Sequence, residues 1–174
     1  VRRSLSSSDL EGAERVWIVG AGKAGVAMAL AAAEVVGNRL AGGVMAVPTV
    51  PAASASGVTF IAGGHPLPTE GSIRAGAAVA DLLERTRAGD LVLALISGGG
   101  SALLELPAAG VSLADLQHLT DLALRAGAPI ESLNRMRWRL SQLKGGGLLR
   151  LAAPARVLGL VLSDVVGNPL EIIA

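Results

Sequence analysis

Short apolar runs alternate along this chain with longer stretches in which apolar residues recur at helical spacing. Apolar runs without internal alternation are typical of strands that are buried on both faces of a parallel sheet. We interpret five such runs as strands, at 15–20, 43–47, 58–62, 90–96 and 156–162. Four stretches predict helices, at 26–36, 73–87, 113–125 and 130–143. This order predicts an α/β fold with a doubly wound, mostly parallel sheet and helices on both faces, a Rossmann-like three-layer sandwich.

Several predicted strands end in turns rich in glycine or polar residues, at 20–25, 63–68, 97–101 and 163–168. Ligands of doubly wound folds bind at the carboxyl ends of the strands. The turn at 97–101 has three consecutive glycines between two serines, and a backbone without side chains can approach an anion closely. A flexible strand-to-helix turn is the alternative interpretation. The residues of this predicted phosphate or carboxylate site are Ser97, Gly98, Gly99, Gly100 and Ser101.

The first of these turns, 20–25, has the glycine spacing of a dinucleotide-binding fingerprint. That fingerprint also requires an acidic residue at the end of the second strand, where this chain has Pro48 and Thr49. The missing acid argues against nicotinamide binding. Lys23, inside the turn, suits a substrate or a phosphoryl group instead, because its ammonium is a compact and mobile charge.

Two further sets of polar residues are candidates for a site. His65 lies at a strand end, where it can serve as a base, a ligand or a hydrogen-bonding strut. Within the predicted helix 130–143, the spacing of three and four places four polar residues on one face. Such a face binds anions if it points into a cleft and is an ordinary solvated face if it points outward. Its members are Asn134, Arg137, Ser141 and Lys144.

The composition narrows the function classes. Hydrophobic residues make up 51% of the 174 residues and the formal net charge is +1, so neither a disordered chain nor an electrostatic binder of nucleic acid or membrane is indicated. The absence of cysteine excludes disulfides, thiolate catalysis and cysteine-ligated metals. We expect a single α/β domain over 1–174, no membrane span, no secretion signal and a cytoplasmic location.

Taken together, the motifs resemble those of the glycerate 2-kinases, the class II enzymes in which an N-terminal Rossmann-like domain precedes a MOFRL domain. The resemblance extends from about residue 15 to the end of the chain and includes 127–130 followed by Asn134, Arg137 and Ser141. It implies that this chain holds the N-terminal domain and that the MOFRL domain is absent from it. The motifs that carry the resemblance are, in order, GAGKA at 20–24, GHPLP at 64–68, SGGGSAL at 97–103, KGG at 144–146 and SDVVG at 163–167.

The resemblance implies ATP-dependent phosphorylation of D-glycerate at its 2-hydroxyl, giving 2-phosphoglycerate, with Mg²⁺. Lys23 resembles the family's catalytic lysine, and the turn 97–101 would hold the glycerate carboxylate or a phosphate. Asp164 would ligate Mg²⁺ or orient a loop. The expected partners are a small-molecule substrate and a nucleotide, without nucleic acid or membrane, and a homodimer is left open. The further substrate- or phosphate-binding residues implied are His65, Asn134, Arg137 and Lys144.

Two alternative functions stay open beside the kinase. One is a non-catalytic domain that binds phosphorylated sugars or acids, and the other is a hydroxypyruvate reductase, a label that some relatives carry. The chain also departs from the family pattern. Asn168 replaces the usual acid, Gly147 replaces a frequent arginine, and Trp138 with Arg139 replaces a common Lys-His pair.

Overall fold

The computed structural model describes residues 1, 4–52 and 57–163. The strands are β1 Arg15–Ala21, β2 Leu40–Val47, β3 Val58–Ala62, β4 Asp90–Ser97 and β5 Arg156–Leu162. The helices are α1 Gly25–Val36, α2 Glu70–Leu83, α3 Gly100–Leu103, α4 Leu113–Arg125, α5 Ile130–Arg139 and α6 Gly147–Ala152, with a 3-10 turn at Gly37–Arg39.

The five strands form one parallel sheet in the order β3-β2-β1-β4-β5. The chain builds the sheet outward from β1 to β3 and then returns to place β4 on the other side of β1. This reversal makes the β1–β4 boundary a topological switch point, where open α/β sheets bind ligands. Because Ala21 pairs with Ile96, the turns that follow β1 and β4 are neighbours.

Two apolar layers cover the sheet, as expected for strands buried on both faces. Val16 and Ile18 of β1 face the layer that includes α1, whereas the alternate residues Trp17 and Val19 face the layer formed with α2 and α6. These four side chains are almost completely withdrawn from solvent. The predicted three-layer, doubly wound architecture is therefore confirmed.

The amino-terminal end of the two central strands is fixed by a buried carboxylate. Asp90 accepts hydrogen bonds from Arg15 Nε and Nη2 at 2.9 and 2.8 Å, from Trp17 Nε1 at 3.0 Å and from the Arg87 N–H at 2.9 Å. Burial raises the pKa of the Asp90 carboxyl, but the hydrogen bonds from Arg15, Trp17 and Arg87 outweigh it and hold that pKa below its ordinary value. This cluster aligns β1 with β4 at the opposite end from their glycine turns.

The predicted helix 130–143 is shorter than expected, because α5 ends at Arg139. The next residues pair with the segment 106–108 instead of continuing the helix: the Ala108 N–H donates to Leu140 O and the Gln142 N–H donates to Leu106 O, each at 2.8 Å. Asn134 and Arg137 therefore lie on α5, whereas Ser141 and Lys144 lie in the turn that follows. The continuous polar face predicted across all four residues is wrong.

Two other elements differ from the sequence prediction. The short helix α6, which packs against β5, was not predicted, because Gly145, Gly146 and Gly147, the last of which begins the helix, indicate a turn. β5 was predicted to be buried, yet it lies at the edge of the described sheet, with Val161 and Leu162 exposed by 38% and 56%. Only one neighbouring strand pairs with β5 among the residues described.

Candidate functional site at the ends of the central strands

The turns after β1 and β4 are bonded directly to each other. The Lys23 N–H donates to Gly98 O at 2.9 Å, and the Ala24 N–H donates to Ser97 Oγ at 3.1 Å. The Ser97 side chain is buried in this contact. Its hydroxyl oxygen, predicted to contact a ligand, accepts a bond from the first glycine turn and fixes the two turns relative to each other.

Gly22 allows this close approach. Its φ is +141°, and a Cβ at this position would overlap Ser97 Oγ. No residue with a side chain can therefore occupy position 22 without separating the turns. The glycine spacing that resembled a dinucleotide fingerprint serves here to bring the β1 turn against the β4 turn.

Gly99 marks the point where three of the predicted turns converge. With φ at +85°, it precedes α3, and the absence of a side chain lets two other residues approach it closely. A Cβ built on Gly99 would stand 2.9 Å from His65 Cδ2, 3.3 Å from His65 Nε2 and 3.5 Å from Lys23 Cε. Both Lys23 and His65 are exposed to solvent. The structure thus brings together the cation, the imidazole and the glycine turn that the sequence had singled out separately.

The turn that carries His65 is held by hydrogen bonds from three helices. Ser72 Oγ on α2 accepts from the backbone N–H groups of Gly64 and Thr69 at 3.0 and 3.1 Å. Gln117 Nε2 on α4 donates to Pro68 O at 2.8 Å, and Arg137 Nη2 on α5 donates to Pro66 O at 3.1 Å. These hydrogen bonds therefore hold the backbone around His65 in place.

Arg137 reaches this turn from a buried position. Its guanidinium also lies 3.4 Å from Thr120 Oγ1. Burial lowers the pKa of the Arg137 guanidinium, and the nearby Glu105 carboxylate opposes that shift. Asn134, also predicted to bind substrate, lies half-buried on the same helix.

Lys144 forms an ion pair within the protein. Its Nζ donates to Glu105 Oε2 at 2.6 Å and to Leu104 O at 3.0 Å, and it lies 3.4 Å from Ser141 Oγ. Burial lowers the pKa of the Lys144 ammonium, while the charge and hydrogen bond of Glu105 act in the opposite direction. The structure therefore places Lys144 against Glu105, an acid that the sequence analysis missed. The available signal was a lone acid in the apolar segment ALLELP, at 102–107.

A cavity of about 370 Å³ lies beside the two bonded turns, on the α6 side of the sheet. Its walls are mostly apolar, and Ser101 contributes a hydroxyl. The Ser101 Oγ is buried and has no hydrogen-bond partner within the described ranges. The residues that line the cavity include Ala21, Ile96, Leu143, Lys144 and Val161.

No metal site can be assigned within the described part of the chain. Over residues 1, 4–52 and 57–163, no group of three or more His, Asp or Glu side chains is arranged to hold a metal ion. Asp164, the predicted Mg²⁺ ligand, lies outside the described residues. In the same ranges, no helix is long and apolar enough to cross a membrane.

Comparison with known proteins finds relatives that match most of this chain. The chain is 43% identical over 177 residues to the D-glycerate 2-kinase of Thermotoga maritima and 45% identical over 175 residues to the glycerate kinase of Rattus norvegicus. The crystal structure of a glycerate kinase from T. maritima superimposes with a TM-score of 0.88 at 41% identity, covering 97% of this chain and 41% of that one. A relative in Agrobacterium vitis, 42% identical over 159 residues, carries the name "Putative hydroxypyruvate reductase".

These relatives are much longer than the region they share with this chain. The alignments cover 100% and 92% of this chain but only 41% and 34% of the T. maritima and rat proteins. The family model described as "Domain of unknown function (DUF4147)" matches residues 1–174. The chain therefore belongs to the DUF4147 family, which forms the N-terminal domain of the glycerate 2-kinases.

Proposed function

We propose that the protein carrying this chain transfers the γ-phosphoryl group of ATP to the 2-hydroxyl of D-glycerate, giving 2-phosphoglycerate and ADP. The observation that carries the proposal is the convergence of the Lys23 and His65 side chains on Gly99. Gly99 lies at the switch point of the sheet, where the fold class binds its ligands. The similarity to a D-glycerate 2-kinase supports the choice of substrate.

Lys23 supplies the mobile positive charge in this proposal. Its backbone is fixed by the bond to Gly98 O, while its side chain extends into solvent at the convergence point. Phosphoryl transfer depends mainly on positioning and on stabilising the charge that spreads over the transferred group. Because the Lys23 backbone is fixed and its side chain is flexible, the ammonium can stay close to that charge while the phosphoryl group moves from ATP to product.

The turn 97–101 binds an anionic group of one substrate, either the glycerate carboxylate or a phosphate. The hydrogen bonds that hold the turn use the carbonyl oxygens of Gly98, Gly99 and Gly100 as acceptors. An anion requires donors, and the backbone N–H groups of a glycine turn are donors that no side chain shields. The Ser101 hydroxyl adds a further donor beside the cavity.

Three further polar residues contribute to the proposed site: Asn134, Arg137 and Lys144. Arg137 acts through the His65 turn, because its guanidinium donates to Pro66 O. Lys144 acts through the segment after α3, because it bonds Leu104 O and Glu105. We assign both a supporting role, and Asn134, on the same helix as Arg137, the role of a polar substrate contact.

The rest of the proposed enzyme lies in other segments. Mg²⁺ would accompany the nucleotide, and Asp164 is the proposed protein ligand, but we derive no step through the metal. We further propose that residues 1–174 form one domain, that a MOFRL domain supplies the second wall of the cleft, and that the enzyme works in the cytoplasm. Its partners would be the two small-molecule substrates, with a homodimer as the proposed assembly.

A hydroxypyruvate reductase is the second candidate, because one relative carries that name. A nicotinamide cofactor would need an acid at the end of β2 to hold the ribose hydroxyl. Val47 ends that strand, and Pro48 and Thr49 follow it. The geometry at this strand end therefore favours the kinase.

The identity of the product tests the proposed function. The full-length protein, incubated with ATP, Mg²⁺ and D-glycerate, should give the phosphorus resonance of 2-phosphoglycerate, with ADP formed in equal amount. The same protein incubated with hydroxypyruvate and NADH or NADPH should leave the cofactor oxidised no faster than a blank. Formation of 3-phosphoglycerate, absence of phosphoryl transfer, or rapid cofactor oxidation would reject the proposal.

A further inference from the structure

Ser72, in the first turn of α2, is bonded to two of the chain segments that build the candidate site. The residue is completely buried. Its hydroxyl oxygen accepts from the N–H groups of Gly64 and Thr69, at the two ends of the turn after β3, at 3.0 and 3.1 Å. Its carbonyl oxygen accepts from the Glu105 N–H at 3.2 Å. Ser72 therefore links the turn after β3 to the segment that follows the turn after β4 and helix α3.

Close backbone contacts surround these hydrogen bonds. A Cβ on Gly71 would overlap Ala62 O, so the start of α2 lies directly against the end of β3. A Cβ on Gly63 would overlap Leu103 O, so the first residue after β3 lies against the end of α3. Because Ser72 follows Gly71, its hydrogen bonds lie where α2, β3 and α3 meet.

One of the two hydroxyl bonds goes beyond the stabilisation of α2. Thr69 is the N-cap of this helix, and the bond from its N–H to Ser72 is part of a capping box. Gly64 lies outside the helix and directly precedes His65. The bond from the Gly64 N–H therefore fixes the turn after β3 rather than the helix.

We infer that Ser72 is a positioning residue for the proposed phosphoryl transfer, on which this inference rests. It sets the turn after β3 relative to the turn after β4, and thereby the packing of His65 against Gly99. Ser72 does not itself contact substrate, because it is buried and both lone pairs of its hydroxyl are used within the protein. Misplacing a reacting or binding group by about 1 Å can lower a rate by about 10²-fold.

The test compares Ser72→Ala with Thr86→Val in the full-length protein. Thr86 lies just beyond the other end of α2, is also buried, and donates to Leu83 O and Ala152 O at 2.7 and 3.0 Å. Each variant removes a buried hydroxyl that contacts two backbone groups, so both should lower the urea midpoint. Only Ser72→Ala should lower kcat/KM for D-glycerate, by about 10-fold or more and mainly through kcat. Thr86→Val should leave kcat and KM unchanged.

A second variant separates hydrogen bonding from packing. Ser72→Cys keeps nearly the same side-chain volume but offers only a weak acceptor, so it should lose kcat as well. If Ser72→Ala does not fold, as circular dichroism would show, Ser72→Cys decides the question because it leaves no cavity.

Failure of this inference differs from failure of the proposed function. If wild type produces 2-phosphoglycerate but a folded Ser72→Ala or Ser72→Cys protein keeps the wild-type kcat, Ser72 does not position the site. The inference is also overturned if Thr86→Val loses as much kcat as Ser72→Ala, because the loss would then follow stability alone. If wild type itself transfers no phosphoryl group to D-glycerate, the proposed function fails first.

Discussion

The ammonium of Lys144 lies 2.6 Å from the carboxylate of Glu105, and both side chains are largely withdrawn from solvent, with 12% and 2% of their surfaces exposed. Glu105 Oε1 also accepts from the Leu106 N–H at 3.0 Å. The pair ties the segment after α3 to the turn between α5 and α6. It thereby fixes the position of the segment that follows the glycine turn at 97–101 and helix α3.

Removing one partner of this pair should destabilise the fold strongly. Glu105→Leu leaves the Lys144 ammonium buried without its counter-charge, and we expect the free energy of unfolding to fall by about 3–5 kcal/mol. The double variant Glu105→Leu with Lys144→Met should recover much of that loss, because neither charge is then buried. Urea unfolding of wild type, Glu105→Leu, Lys144→Met and the double variant measures the coupling.

An exposed ion pair provides the control. Asp121 and Arg125 face each other across one turn of α4 at 2.8 Å, and both are open to solvent. Asp121→Leu should cost no more than about 1 kcal/mol. If Glu105→Leu costs as little as Asp121→Leu, or if the double variant loses the sum of its two single losses, the pair does not have the assigned role.

The Asp90 cluster should make stability depend on pH in the acid range. The pKa of Asp90 is below its ordinary value in the folded chain, so its contribution is complete above the unfolded pKa of about 3.9 and is lost as the pH falls through the folded pKa. We expect Asp90→Asn to lower the free energy of unfolding by about 2–3 kcal/mol at pH 7. The difference from wild type should shrink below pH 4.

Urea unfolding at a series of pH values checks this expectation. Asp81→Asn, on the exposed side of α2, is the matched control and should track wild type at each pH. If the loss of unfolding free energy in Asp90→Asn, relative to wild type, stays constant from pH 7 to strongly acid conditions, the account is contradicted.

Gly99→Ala should reduce activity beyond its effect on stability. The new Cβ would stand 2.9 Å from His65 Cδ2 and push the imidazole away, and a positive φ would strain the backbone. Gly110 has a similar φ of +80° but nothing within 4 Å of the Cβ position. Gly110→Ala therefore strains the backbone to a similar degree, but its new Cβ contacts no other residue.

The two variants separate backbone strain from displacement of the His65 side chain. Both should lose about 1 kcal/mol of unfolding free energy. Only Gly99→Ala should lose kcat/KM for D-glycerate, by about 10-fold or more, as a steady-state assay would measure. Equal losses of activity in both variants would show that the packing of His65 against Gly99 does not matter for activity.

The sequence was most informative where one side chain or one glycine serves a local purpose. Apolar runs identified all five strands in the described part of the chain. Strand-end glycines identified the turns that meet at Gly99, because parallel strands place their carboxyl ends at one edge. The prediction that these turns form one polar region rests on this geometry alone.

The sequence pattern did not predict contacts between residues that lie far apart along the chain. Nothing in the helical pattern of 130–143 shows that residues 140–142 bond to 106–108, so the predicted polar face continued past its true end at Arg139. For the same reason the partner of Lys144 was missed. Glu105 lies 39 residues away along the chain, and only the folded backbone brings the two together.

The kcat of Lys23→Ala in the full-length protein tests the central claim most directly. Lys23 is exposed, so its truncation should leave the fold and the unfolding midpoint unchanged. If the ammonium stabilises the transferring phosphoryl group, kcat for ATP and D-glycerate should fall by at least about 10²-fold. A folded Lys23→Ala protein that retains more than about a tenth of the wild-type kcat would contradict the account.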